Sequence, residues 1–213
     1  MRGRSIVEAF GLLIIILSIS VQVTVFEKEE YKKLYEKYEV YSNSVYTKEE
    51  LDSKKAELIT DEILDYLNDK KDKLEGHNFS KEEVVHMKDV KNIFLIMRRM
   101  AQIFGVIILI EIILGRLKYV KSLLGNYVIS LVSFLVFLFI SIYNFDRAFI
   151  IFHKLLFRND YWMLNPYDSI IINMFPQEIF MYFFIKISFL FLLFSAVFIA
   201  IWGYLRKFDK SYE

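Results

Sequence analysis

The chain has 213 residues, of which 55% are hydrophobic and 17% aromatic, and carries a formal net charge of +1 with a mean hydropathy of +0.35. That apolar share exceeds what a soluble domain of this length hides, so the composition points to a membrane protein. The balanced charge carries no basic signature for nucleic acid, and the absence of cysteine excludes disulfides, thiolate nucleophiles and Cys-type zinc sites together.

The first element is an apolar stretch from about Ile6 to Phe26 behind the basic start Arg2 and Arg4. Its length suits a bilayer crossing of about 20 residues. The following "SVQVTVFEKEE" has no small-x-small cleavage site, so the stretch reads as an uncleaved anchor rather than a signal peptide. Next comes "FEKEEYKKLYEKYEVY", where Tyr31, Leu34, Tyr35, Tyr38 and Tyr41 recur at helical spacing among Glu and Lys. This predicts an amphipathic helix over Lys28–Tyr41 with an aromatic stripe. In "YTKEEL", Thr47 fits an N-cap, Glu50 its N3 partner, and Tyr46 with Leu51 a hydrophobic staple. The expected helix is Lys48–Leu74, continuous or broken near Thr60. After the turn "EGHNF", the same signature returns as "FSKEEV". Ser80 is the N-cap, Glu83 is N3, and Phe79 staples to Val84, so a helix starts at Lys81.

That helix runs towards a second apolar stretch, about Ile93 to Leu114, with Arg98 and Arg99 near one end and Glu111 near the other. Glu8 lies within the first stretch. Charges inside a membrane are functional suspects by default, but snorkelling accounts for the arginines and Arg116 or Lys118 could pair with Glu111, so none is placed in a site. The third apolar stretch covers about Tyr127 to Tyr143. The segment from Asn144 to Glu178 is too apolar for a solvated loop, and its Trp and Tyr suit an interfacial depth. "NPYD" is a turn signal, and Pro176 should open the last helix near its N1 position. The fourth stretch covers about Ile179 to Tyr204.

Orientation follows from basic flanks. Arg2 and Arg4, then Arg116, Lys118 and Lys121, then Arg206, Lys207 and Lys210 belong on one side, the cytoplasm. Both termini are then cytoplasmic. The expectation is an all-α protein: a four-transmembrane-helix bundle with a helical extracytoplasmic cap. Its parts are a first span (1–26), the cap (27–92), the second span with a cytoplasmic loop (93–126), the third span with an aromatic interfacial segment (127–178), and the fourth span with a tail (179–213).

Three histidines occur. His86 and Asp89, three apart, share a helix face bordered by Lys88 and Lys91. His153 lies in the aromatic segment with Asn159, Asp160, Trp162 and Asp168 downstream. The charge rule puts both histidines on the same side of the membrane. Neutral imidazole is the usual general base, and a carboxylate such as Asp89 could hold one tautomer. One histidine would take a proton from a nucleophile while the other stabilises developing oxygen charge. The plain alternative is that each is a satisfied structural residue, above all His77 in its Gly-containing turn. A zinc site from His86, Asp89, His153 and Asp168 is a further alternative, although no HExxH is present. No GxSxG serine elbow is present either.

"FSKEEVVHMKDVK" before one span and "FHKLLFRNDYWMLNPYDSIIINMFP" before the last resemble the four-span lipoprotein intramolecular transacylases. The resemblance covers the whole chain. It implies a reaction on diacylated bacterial lipoproteins, in which an acyl chain moves from the glyceryl sn-2 oxygen to the α-amino group of the N-terminal cysteine, giving a lyso-form lipoprotein. It also implies that His86 and His153 are catalytic; Asp89, Asn159, Asp160, Trp162 and Asp168 are the candidates for supporting or substrate-binding roles. No metal or cofactor is expected; the partners are the lipoprotein substrate and membrane lipid. Amine attack on the ester closes an eight-membered ring, so orientation is a large share of the catalysis. The site should face the outer leaflet, where the substrate is anchored. The shared face of His86 and Asp89 favours His86 as base. Rival readings are a membrane metallohydrolase and a non-enzymatic membrane sensor or partner-binding protein.

Overall fold

A computed structural model describes residues 2–45, 50–77, 79–114 and 120–209. Among them, helices follow one another and no strand occurs: α1 (Arg2–Val25), α2 (Lys28–Lys37), α3 (Val40–Asn43), α4 (Ser53–Leu67), α5 (Lys81–Ile113), α6 (Val120–Tyr143), α7 (Phe145–Leu156), α8 (Ile170–Met174) and α9 (Gln177–Asp209). The all-α expectation holds. The four long helices α1, α5, α6 and α9 each carry a stretch long and apolar enough to cross a membrane. They leave large apolar side chains uncovered by protein, among them Ile103, Ile113, Phe139 and Phe189. Lipid is the solvent that such a surface needs, and a helix satisfies its own backbone there.

The chain divides into two compact units. One comprises Met1–Thr24, Met97–Tyr143 and Ile185–Glu213; the other comprises Val25–Ile96 and Asn144–Phe184. In the first, Ala9, Ile16, Leu123, Tyr127 and Phe191 form a buried core. Tyr127 donates its hydroxyl to Ser195 at 2.7 Å, a polar link that fills an otherwise apolar contact. A Cβ placed on Gly11 would overlap the Phe104 ring, so glycine there lets α1 and α5 approach closely. Arg98 donates to Gln22 Oε1 at 3.3 Å. Arg116, Lys118 and Lys210, invoked for orientation and pairing, lie outside the described residues.

The second unit corrects the sequence at three helix ends. The α2 stripe buries Tyr31, Leu34 and Tyr35 as expected, with Tyr31 against Phe183 and Phe175. However, the helix stops at Lys37, because Glu39 is left-handed (φ 52°) and the chain restarts as α3. Glu50 and Leu51 are not helical, and α4 begins at Ser53. Asp52 accepts a hydrogen bond from the Lys55 N–H at 2.7 Å and is the N-cap, a role its short carboxylate fills well. Tyr46, Thr47 and Lys48 lie outside the described residues. Nor does α4 reach Leu74 or break at Thr60. It ends at Leu67, where Asp69 turns left-handed and the Asp69 and Lys70 N–H groups close back on the Tyr66 and Asp65 carbonyls. That pairing is a Schellman ending. Thr60 stays helical by donating to the Ala56 carbonyl, which leaves its oxygen to accept from Tyr35 at 2.7 Å.

The helix α5 starts where the sequence places it. Its 33 residues rise about 50 Å at 1.5 Å each, well beyond an apolar core of about 30 Å. Its charged first turns, Lys81 to Asn92, therefore precede the apolar run that begins at Ile93. Pro176 stands immediately before α9 and opens it near its first position, as expected.

Candidate active site

The placement of His86 begins with the capping box. Ser80 Oγ accepts from the Glu83 N–H at 3.1 Å, and Glu83 Oε2 accepts from the Ser80 N–H at 2.6 Å. These reciprocal bonds fix the first turn and so the direction in which His86 projects. His153 stands in the last turn of α7, a helix capped by Asn144, whose Oδ1 accepts from the Arg147 N–H. The two imidazoles meet with ring centroids 6.1 Å apart and planes 30° apart.

Aromatic rings enclose the pair. Phe157 lies edge-on to His86 at 5.0 Å and tilted to His153 at 5.5 Å. Phe149 approaches His153 at 4.1 Å and Trp162 at 5.0 Å. Phe149, His153 and Phe157 are four apart along the chain, so they share one edge of the helix and its end. That spacing was readable, and it is the signal by which Phe149 and Phe157 could have been recognised as site residues.

His153 is only 8% exposed. Its Nδ1 lies 2.7 Å from the Phe149 carbonyl oxygen. A carbonyl can only accept, so Nδ1 carries the proton and Nε2 the lone pair of the neutral ring. His86 differs, since its Nδ1 is buried with no hydrogen-bond partner. Loss of solvent keeps both rings neutral. His86 is pushed down to about 4, first by burial and then by the neighbouring His153, with the Asp89 charge opposing. His153 is held below the ordinary imidazole value by burial, opposed by the Phe149 carbonyl.

The supporting residues divide. Asp89 acts on His86 by its charge, while its Oδ2 accepts from Asn159 Nδ2 at 2.8 Å; it does not reach His86 Nδ1. Asn159 and Trp162 thus join the histidines. Asp160 and Asp168 are exposed, and each takes part in a local hydrogen bond. The Asp160 carbonyl accepts from Met163 N–H, and Asp168 accepts from Asn165 within the NPYD turn. Lys91 turns away from the site. Its ammonium meets Asp69 at 2.8 Å, the Lys71 carbonyl at 2.8 Å and the Tyr66 ring face at 4.5 Å. There it satisfies one carbonyl just past the end of α4. His77 Nε2 lies 3.5 Å from Glu62, in a structural turn.

One participant escaped the sequence. Beyond its capping role, Glu83 is 0% exposed, and its Oε1 accepts from Ser169 Oγ at 2.6 Å and from the Ile171 N–H at 2.8 Å. An N3 glutamate looks the same in sequence whether or not a second segment lands on it. Among the described residues, no three of His, Asp and Glu converge in the manner of metal ligands.

Four membrane-length helices define an integral membrane protein, and comparison with known proteins places it. The family model for the lipoprotein intramolecular transacylase Lit matches residues 6–180, and the chain belongs to that family. The crystal structure of the membrane integral lipoprotein intramolecular transacylase Lit from Bacillus cereus superposes with a TM-score of 0.84 at 26% identity. It covers 97% of this chain and 96% of that one. A variant of that enzyme with one histidine replaced by arginine gives 0.81 at 24% identity over 98% and 93%. An alanine variant gives 0.75 at 24% over 97% and 94%. No curated protein sequence matches the chain.

Proposed function

We propose that this transacylase moves an acyl chain within one diacylated bacterial lipoprotein, from the glyceryl sn-2 oxygen to the α-amino group of the N-terminal cysteine, with His86 and His153 sharing the proton transfers. The observation that carries the reading is the 6.1 Å separation of the two rings, which lets both reach one ester. In the step, the amine nitrogen forms a bond to the acyl carbon and passes a proton to a base. The sn-2 C–O bond then breaks, and the departing oxygen takes a proton. Atoms balance within one molecule, so the product keeps the substrate's mass.

His153 suits the base. Its Nε2 lone pair is free, and the Phe149 carbonyl on Nδ1 strengthens its hold as the ring charges. His86 suits the donor. A ring held down to about 4 stays neutral through the cycle, and a neutral imidazole can donate to an oxyanion. This reverses the assignment that sequence favours, because Asp89 spends its hydrogen bond on Asn159. The aromatic enclosure supports the folded substrate shape that ring closure demands. The basic flanks support cytoplasmic termini and a site on the outer leaflet, where lipoprotein substrates are anchored.

Purified protein with a synthetic diacylated lipopeptide should yield an N-acyl isomer at unchanged mass. His86→Ala or His153→Ala should each cost on the order of 10²–10⁴ in rate, the range for a positioned acid or base. His86→Gln, which keeps a donor, should retain more activity than His153→Gln. A mass change would mean hydrolysis or transfer to a second molecule and would end the proposal.

A further inference from the structure

The loop between α7 and α8 carries Trp162 onto His153, and it is tied to α5 at both ends. At its far end, Ser169 Oγ and the Ile171 N–H bond Glu83 Oε1. At its near end, Asn159 Nδ2 bonds Asp89 Oδ2. Glu83 and Asp89 stand three residues before and three after His86, one turn to either side on the same helix. Asn159 has a second task, since its Oδ1 accepts from the Tyr161 N–H at 3.1 Å and opens the turn that presents Trp162. Two carboxylates of one helix therefore hold the two ends of a loop whose middle lays Trp162 on His153.

We propose that Glu83 and Asp89 are positioning residues: together they pin the 157–169 loop across His86, setting the distance between the histidines and the stacking of Trp162 on His153. The two ties differ in kind. Glu83 is wholly buried and serves two helix starts at once, so it is the permanent anchor. Asp89–Asn159 is a single hydrogen bond at a half-buried place, so it is the adjustable end, six residues beyond His153. The inference rests on the histidine-pair reading for its catalytic consequence, but not for its geometry.

The test exchanges the two partners. Asn159→Asp sets two acceptors face to face and breaks the tie. Asp89→Asn combined with Asn159→Asp restores it with donor and acceptor swapped. In a Trp202→Phe background, Trp162 is the only indole, and a protonated imidazole stacked on it quenches its emission. The parent should show an acid quenching step from His153. Asn159→Asp should lose that step and fall about 100-fold in kcat with the lipopeptide, the scale of a 1 Å misplacement, with KM little changed. The double variant should recover both to within several-fold. If Asn159→Asp does not fold, Asn159→Ala carries the same expectations without the added charge. A folded single variant with the parent's quenching and kcat would overturn the proposal, and so would a double variant that recovers neither. The fluorescence arm needs no substrate, so failure of the transacylation reading would appear as a normal quenching pattern in a protein that does not isomerise the lipopeptide.

Discussion

Glu83→Gln is the substitution with the largest effect for the smallest change of shape. The native carboxylate accepts from Ser80 N–H at 2.6 Å, Ser169 Oγ at 2.6 Å and Ile171 N–H at 2.8 Å, with 0% of the residue exposed. Glutamine keeps one acceptor oxygen. If that oxygen serves Ser169 and Ile171, the new amide points its own hydrogens at the Ser80 N–H. A buried donor is then stranded, at about 1–3 kcal/mol. The two surviving bonds fall from charged to neutral strength, at about 1 kcal/mol each. The sum is about 3–5 kcal/mol. Ser80→Ala removes only the other half of the capping box, at about 1 kcal/mol. Thermal unfolding of the purified protein in detergent should therefore rank wild type above Ser80→Ala and Ser80→Ala well above Glu83→Gln. A Glu83→Gln protein as stable as wild type, or no less stable than Ser80→Ala, would refute the view that one carboxylate holds both segments.

Two further outcomes follow from the same structure. The folded histidines have depressed pKa values, with His86 near 4 and His153 below the ordinary value, whereas unfolded imidazoles take up protons near 6.5. The unfolded chain thus binds more protons between those values, so stability is complete above pH about 6.5 and declines as the pH falls towards about 4. The decline should lessen in His86→Gln, and a melting temperature equal at pH 7.5 and pH 5 would contradict it. In the membrane-spanning unit, Gly11→Ala forces a methyl into the Phe104 ring and should cost about 1–3 kcal/mol by overpacking. Gly105→Ala meets nothing within 4 Å and should not lower the melting temperature, since alanine is favoured over glycine in a helix interior by about 0.5–1 kcal/mol.

What was legible in the sequence was local. The four spans depend on an apolar run matching a bilayer thickness, and the start of α5 depends on Ser80 and Glu83 three residues apart. Both kinds of signal lie within a few turns of chain, and both held. The α4 ends differ from the expected ones for a local reason too. Asp52 competes with Thr47 as a cap, and Asp69 accepts a left-handed backbone that "YLNDKKDKL" only hints at. The histidines were recognisable as candidates by rarity and by the resemblance of their motifs. Their partners were not: Lys91 borders His86 in the sequence yet reaches the end of α4, and Asp89 serves Asn159 instead of the His86 ring.

By itself, the sequence determined an all-helical membrane protein, the origin of the helix that aims His86, and the family to which its motifs belong. Only the tertiary structure decided that His86 faces His153, that the Phe149 carbonyl sets the His153 tautomer, and that Glu83 is the common acceptor for two helix starts. The physical reason is that covalent spacing governs caps and apolar runs, whereas a hydrogen bond between residues 83 and 169 or 89 and 159 depends on how the intervening chain packs. A carboxylate's partners are chosen by whichever donors lose their water beside it, and no stretch of sequence states which those will be.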